Sequence, residues 1–381
     1  MPEPFKNLLN RIMIRGMAEH FSKAEPDFDS AGFVMMAGEN LETLELKERS
    51  TQITATLATF LPDNFEKAAA IMLASLAPEE CDAVVNAQPG TLQADQRGIE
   101  GWAIMPMVDY VGLYGRGHFD LSMALLKEMT KRFSSEFGIR FFLIEEPERT
   151  LSLLKEWARD SNHHVRRLIS EGTRPRLPWA MRLPAFIEDP TPLLPLLEAL
   201  KDDDEEYVRR SVANNLNDIA KDHPDLIAEI AKRWLNEASK DRKKLVRHAC
   251  RTLIKQGHQK TLKALGYDSP CIKLKNLEIL TPSVSFGNAV IFELCLTSTS
   301  KHAQPLIIDY AIHHRKANGS ATPKVFKWKT ITLAPLTTMP KAKKKHAIKK
   351  ITTRTYYPGT QGLEVLINGV SFGVKTFELV M

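Results

Sequence analysis

The chain has 381 residues, 43% hydrophobic and 26% charged, the make-up of a folded protein long enough for two or three domains and a large core. No window approaches about 20 unbroken apolar residues, which excludes a membrane span, and the opening MPEPFKNLLNRIMIRG has no continuous apolar core of the kind a signal peptide needs. The net charge of +6 is uneven: from Asp268 onwards there are 16 Lys and Arg against 6 Asp and Glu, and before it 36 against 40, so the C-terminal part calls for an anionic partner.

In chain order, the N-terminus reads as the start of an amphipathic helix. Residues 63–77, DNFEKAAAIMLASLA, form a helix that Asn64 can cap. Four well-separated cysteines, Cys81, Cys250, Cys271 and Cys295, form no CxxC pair and are expected to be reduced thiols in a cytoplasmic, nucleoid-associated protein. Apolar helices such as 150–158 precede three similar starts, His164-Val165-Arg166-Arg167, Tyr207-Val208-Arg209-Arg210 and Leu245-Val246-Arg247-His248, spaced by 43 and 38 residues. A helix pair repeating at about 40–47 residues is the signature of a HEAT-type solenoid. The expected polar caps are 160–162, 202–206 and Asp241, and a cluster of prolines from Pro175 to Pro195 stops helices between repeats.

The pattern changes near Gly266. About seven β-rich runs follow, including 289–296, 305–312, 325–331 and 363–367, separated by turns at Gly287-Asn288, Asn318-Gly319, Pro358-Gly359 and Asn368-Gly369. They predict a small antiparallel sandwich of immunoglobulin type. The expected fold class is therefore mostly α, a HEAT-like solenoid over 1–266, followed by an all-β sandwich over 267–381. Asn318-Gly319-Ser320 reads as a turn rather than a glycosylation site.

Chemistry is suggested by acid–base stripes at helical spacing: Arg167 with Glu171, Arg210 with Asn214 and Asp218, and Glu136 with Arg140. The plain alternative for any one of them is a solvated ion pair, contributing about 0.3–0.5 kcal/mol. Taken together, with 164–172, 207–218 and 245–254 as equivalent inner helices, they would line a groove in which arginines grip phosphates and acids meet a cation. Trp179 follows an extended Pro-bounded loop and can offer a free face, whereas Trp157 belongs to a core. The adjacent His163 and His164 diverge on a helix, so a cap or phosphate contact fits them better than a metal. Lys341, Lys343, Lys344, Lys345, Lys349 and Lys350 read as a basic sandwich loop able to contact phosphates. No metal or cofactor motif is present in the text.

The stretches FSSEFGIR (133–140), HVRRLISEGTRPRLPW (164–179) and YVRRSVANNLND (207–218) resemble the AlkC branch of the AlkC/AlkD HEAT-like DNA alkylation-repair glycosylases over most of 1–266, and the C-terminal sandwich is similar to the immunoglobulin-like domain some of them carry. The resemblance implies excision of cationic N3-alkylated bases (3-methyladenine, 3-methylcytosine) from double-stranded DNA without extruding the base, by a monomer needing no cofactor. It assigns the catalytic acids to Glu136, Glu171 and Asp218 and the lesion contact to Trp179. Arg140, His164, Arg166, Arg167, Arg174, Arg176, Tyr207, Arg209, Arg210, Asn214 and Arg247 would hold DNA, with Lys341, Lys343, Lys344 and Lys345 closing on it from the sandwich. A cationic base is already a good leaving group, so carboxylates near the sugar and a positioned water suffice. The rival reading is a non-catalytic HEAT scaffold for nucleic acid or protein, or one directed at RNA.

Overall fold

The computed structural model describes residues 4–79 and 97–381, with Cys81 outside them. Among the described residues the α-helices are α1 (Arg11–Ala24), α2 (Ser30–Ala37), α3 (Leu46–Phe60), α4 (Phe65–Ala74), α5 (Ile104–Tyr114), α6 (Phe119–Thr130), α7 (Ile139–Glu145), α8 (Pro147–Trp157), α9 (His163–Gly172), α10 (Pro184–Glu188), α11 (Leu194–Leu200), α12 (Glu206–Ile219), α13 (Pro224–Leu235), α14 (Lys240–Ala249), α15 (Arg251–Gln256) and α16 (Gln259–Ala264). None is long and apolar enough to cross a membrane. Packing divides the chain after Ile219 into two compact units.

The first unit is a helical-repeat body. Its helices start where polar caps precede apolar faces. Asn64 Oδ1 accepts from the amide of Lys67 at 2.9 Å to open α4, and Asn162 Oδ1 accepts from His164 at 2.9 Å to open α9. Helix α9 buries Val165, Leu168 and Ile169, and α12 buries Val208, Val212 and Leu216, so the two repeat starts pack side by side. A Cβ on Gly172 would sit 2.7 Å from Ile139 Cγ2, so this glycine lets α9 approach α7. Trp157 is buried, as its apolar helix predicts.

The second unit joins α13–α16 to eight strands: β1 (Ile272–Ile279), β2 (Ser283–Ser285), β3 (Ala289–Ser298), β4 (Gln304–Arg315), β5 (Ala321–Leu333), β6 (Ala342–Ala347), β7 (Gly359–Ile367) and β8 (Val370–Val380). They form a three-stranded sheet, β1-β3-β6, and a five-stranded one, β2-β8-β7-β4-β5. Inward residues such as Phe292, Leu294, Ile308, Tyr310, Leu363 and Val365 make the core between them. The helices meet the sheet at two glycines. A Cβ on Gly257 would lie 2.7 Å from the Gly369 Cα, and Gln259 Nε2 donates to the Asn368 carbonyl at 3.1 Å. Both glycines also have positive φ, 69° and 74°, so two backbones touch where side chains would collide.

Three local expectations are corrected. The segment 245–254 is not one helix: α14 ends at Ala249 and α15 begins at Arg251. The cap of α14 is Ser239, whose hydroxyl accepts from the Arg242 amide at 3.1 Å, so Asp241 falls in the first turn instead. Half of the lysine cluster is not loop: Lys343, Lys344 and Lys345 lie in the edge strand β6, 342–347, which sends alternate lysines to opposite faces, while Lys341, Lys349 and Lys350 flank it.

Candidate active site

An alternating chain of acids and bases links α9, α12 and the turn before α7. Arg174 joins its two innermost acids: Nη1 donates to Glu171 Oε1 at 2.7 Å and Nε to Asp218 Oδ2 at 2.8 Å. Glu171 Oε2 accepts from the Ser211 hydroxyl at 2.6 Å and lies 3.6 Å from Arg167 Nη2. Arg167 then reaches Glu136 Oε2 at 2.8 Å, an oxygen that also accepts from Ser134 Oγ at 2.6 Å. The Arg167 guanidinium sits 4.9 Å from the centre of the Tyr207 ring. Burial alone would raise the Glu171 pKa, but the charges of Arg167 and Arg174 and the Ser211 hydrogen bond outweigh it, so Glu171 is held below the ordinary carboxylate range and stays ionised. Side-chain exposure falls from 16% at Glu136 to 7% at Glu171 and 2% at Asp218, so Glu136 is the outermost acid.

Arg140 is not a phosphate contact. Its side chain is fully buried and donates to the carbonyls of Met181 (2.7 Å), Gly172 (2.7 Å) and Arg174 (2.8 Å). Burial pushes its pKa down to about 10, which leaves it cationic at neutral pH. It clamps the loop after α9, and it forms no helical stripe with Glu136, which lies in the turn ahead of α7. Arg174 is also buried, and its guanidinium is taken by the two acids, so the phosphate reading fails there for the same reason. The loop that Arg140 holds carries Trp179, which is 53% exposed and has φ of +67°, a strained conformation for a non-glycine residue. Lys47 Nζ donates to the Trp179 carbonyl at 2.5 Å and fixes the turn.

A family model described as DNA alkylation repair enzyme matches residues 133–265, and one for the C-terminal Ig-like domain of the uncharacterised protein YhaZ matches 273–381. The uncharacterized protein YhaZ of Bacillus subtilis (strain 168) is 35% identical over 366 residues, 96% of each chain. The solved Pseudomonas fluorescens alkylpurine DNA glycosylase AlkC, bound to DNA containing an abasic site analog, superposes with a TM-score of 0.86 at 33% identity, covering 100% of both chains. The chain belongs to the AlkC/YhaZ branch of the DNA alkylation repair family.

Within this AlkC-type chain the remaining candidates fall into three groups. Arg166 is spent on a bidentate pair with Asp203 (2.6 and 3.0 Å), and Arg209 donates to the carbonyls of Asp203 and Asp204, so both secure the turn before α12. Around the network, His164 lies edge-on to Tyr207 at 5.7 Å, Arg176 and Asn214 are half-buried, and Arg210 is exposed. In the second unit, Arg247 bonds the Tyr267 hydroxyl at 3.2 Å and Lys341 pairs with Glu293 at 2.5 Å. Lys343 and Lys345 are exposed on β6, while Lys344 turns inward, its ammonium 5.9 Å from the Tyr310 ring. Among the described residues no group of three metal-ligating side chains occurs.

The expected stripe Arg210–Asn214–Asp218 does not share one face. Eight residues at about 100° each leave Arg210 and Asp218 roughly 80° apart, whereas Ser211 and Asp218, seven apart, nearly coincide. The structure follows this geometry: Ser211, Asn215 and Asp218 are buried and Arg210 is not. The seven-residue spacing was the available signal for Ser211, the donor to Glu171 that the sequence reading missed. Ser134 and Lys47 were also missed, and nothing local in the sequence marks them.

Proposed function

We propose that the protein is a DNA glycosylase that hydrolyses the N-glycosidic bond of cationic N3-alkylated bases, 3-methyladenine and 3-methylcytosine, in double-stranded DNA, acting as a monomer and leaving the base outside any pocket. The observation that carries this reading is the run Glu136–Arg167–Glu171–Arg174–Asp218, half-buried at Glu136 and buried at Asp218, in a chain that aligns end to end with an alkylpurine DNA glycosylase. Residues 1–266 would be the catalytic body and 267–381 an accessory DNA contact through Lys343 and Lys345.

The chemistry follows from the charges. An alkylated cationic base departs without protonation, so the enzyme needs fixed negative charge near the sugar as oxocarbenium character builds, and a water. Glu171 and Asp218 are already desolvated and hydrogen-bonded, so they supply field with little reorganisation. Both Glu171 oxygens are engaged by protein donors, which disfavours it as a base. Glu136 Oε1 accepts no hydrogen bond among the described residues and belongs to the outermost acid, which supports Glu136 as the group that orients water. Single-turnover release of 3-methyladenine from methylated DNA tests the assignment. Glu171→Gln, Asp218→Asn and Glu136→Gln should each slow it by about 10²–10³. Wild-type protein that binds DNA with a steep salt dependence but frees no base would establish the scaffold reading instead.

A further inference from the structure

Beside the acid network runs a row of aromatic rings that the catalytic reading does not use. Trp179 and Phe5 lie 6.0 Å apart, ring centre to ring centre, inclined at 68°. Phe5 lies 6.0 Å from Trp102, and Trp102 lies 5.1 Å from Phe133, the first residue of the turn that carries Glu136. The inner end of the row is packed, whereas its outer end is open: Phe5 is 59% exposed and Trp179 is 53% exposed. Two neighbouring large aromatics left in water need a reason, because burial is their usual fate. Trp179 is also kept there at a cost, by a left-handed backbone conformation, the Lys47 hydrogen bond to its carbonyl and the Arg140 clamp on its loop.

We propose that Phe5 and Trp179 form a corner that receives one unstacked nucleobase opposite or beside the damaged nucleotide, with Phe5 as a positioning residue. Rings inclined at 68° cannot sandwich a flat ligand between parallel faces. They present one face for a base to stack on and one edge that wedges against it. A base is the planar partner that suits this corner, because the row leads directly to the turn holding Glu136 and the Lys47 ammonium lies at its margin. The proposal rests on the DNA-glycosylase reading for the identity of the duplex, though its test does not depend on catalysis.

The probe is a duplex with a tetrahydrofuran abasic analogue and 2-aminopurine, placed in one version opposite the analogue and in another beside it. Wild-type protein should quench the fluorescence of at least one version on binding. Phe5→Ala and Phe5→Leu should abolish most of that quench and weaken binding roughly tenfold, while Phe5→Trp restores both. Phe5 is largely exposed, so the variants should keep the wild-type Tm. A wild-type complex that quenches neither duplex overturns the proposal, as does Phe5→Leu behaving as wild type, which would reduce Phe5 to apolar packing on Trp102. Quenching by a protein that releases no 3-methyladenine would leave the corner standing and remove the glycosylase reading. Base release without quenching would do the reverse.

Discussion

Replacing Arg174 with Met should destabilise the first unit by about 4 kcal/mol at neutral pH. The guanidinium donates at 2.7 and 2.8 Å to two carboxylates that are themselves buried. Hydrogen bonds to charged groups contribute about 1.5–3 kcal/mol each, and removing one member of a buried ion pair costs about 3–5 kcal/mol, so the two routes agree. In a body of this size that is a fall in Tm of about 8–16 °C. The pH dependence should also change. In the wild type Glu171 is held below its ordinary pKa, so its contribution is complete above the unfolded value and fades as pH falls through the lowered one. Without Arg174, burial is opposed only by Arg167 and Ser211, so the Glu171 pKa moves up and the deficit should shrink as pH falls from 7.5 towards 4.5. Urea unfolding followed by circular dichroism at those pH values measures both effects. Adding Glu171→Gln and Asp218→Asn to the Arg174→Met background should recover part of the loss. A single Arg174→Met variant within 1 kcal/mol of wild type, or a deficit indifferent to neutralising the acids, would refute the reasoning.

Other consequences are as direct. Trp179→Gly should be more stable than Trp179→Ala by about 1 kcal/mol, because both delete the ring and only glycine relaxes the positive φ; thermal unfolding of the pair measures it. Arg140→Lys should lower stability markedly, since one ammonium cannot reproduce the planar fork that spans three carbonyls, and proteolysis should then open the loop around Trp179 first. Gly257→Ala should destabilise the second unit in urea, its methyl group meeting the Gly369 backbone. Asp309, whose pKa burial pushes up to about 6, should lose stability for that unit as pH rises through that value, and Asp309→Asn should flatten the profile there.

Much of this fold was legible in the sequence because its signals are local. Asn64 and Asn162 precede apolar periodic runs, and both cap helices. The turn pairs Asn318-Gly319 and Asn368-Gly369 separate strands as expected. What failed was pairing at a distance. Arg140 and Arg174 look like any basic groove residue in the text, and only tertiary packing turns them inward onto carbonyls and acids. Strand β6 escaped notice because an edge strand can tolerate successive lysines, and the stem of Lys344 can line a core side while its charge stays near a ring. Phe5 sits far from Trp179 in sequence, so no periodicity could join them.

The contact of Gly257 with Gly369 has a practical bearing on how the chain can be shortened. Removing everything after Gly266 would follow the change from helix to strand, yet it would strip α13–α16 of the hairpin against which the turn between α15 and α16 rests. Such a fragment would lose activity for reasons unrelated to DNA. Alanine substitution of Lys343 and Lys345 on the intact chain asks the same question of the sandwich without dismantling its neighbour.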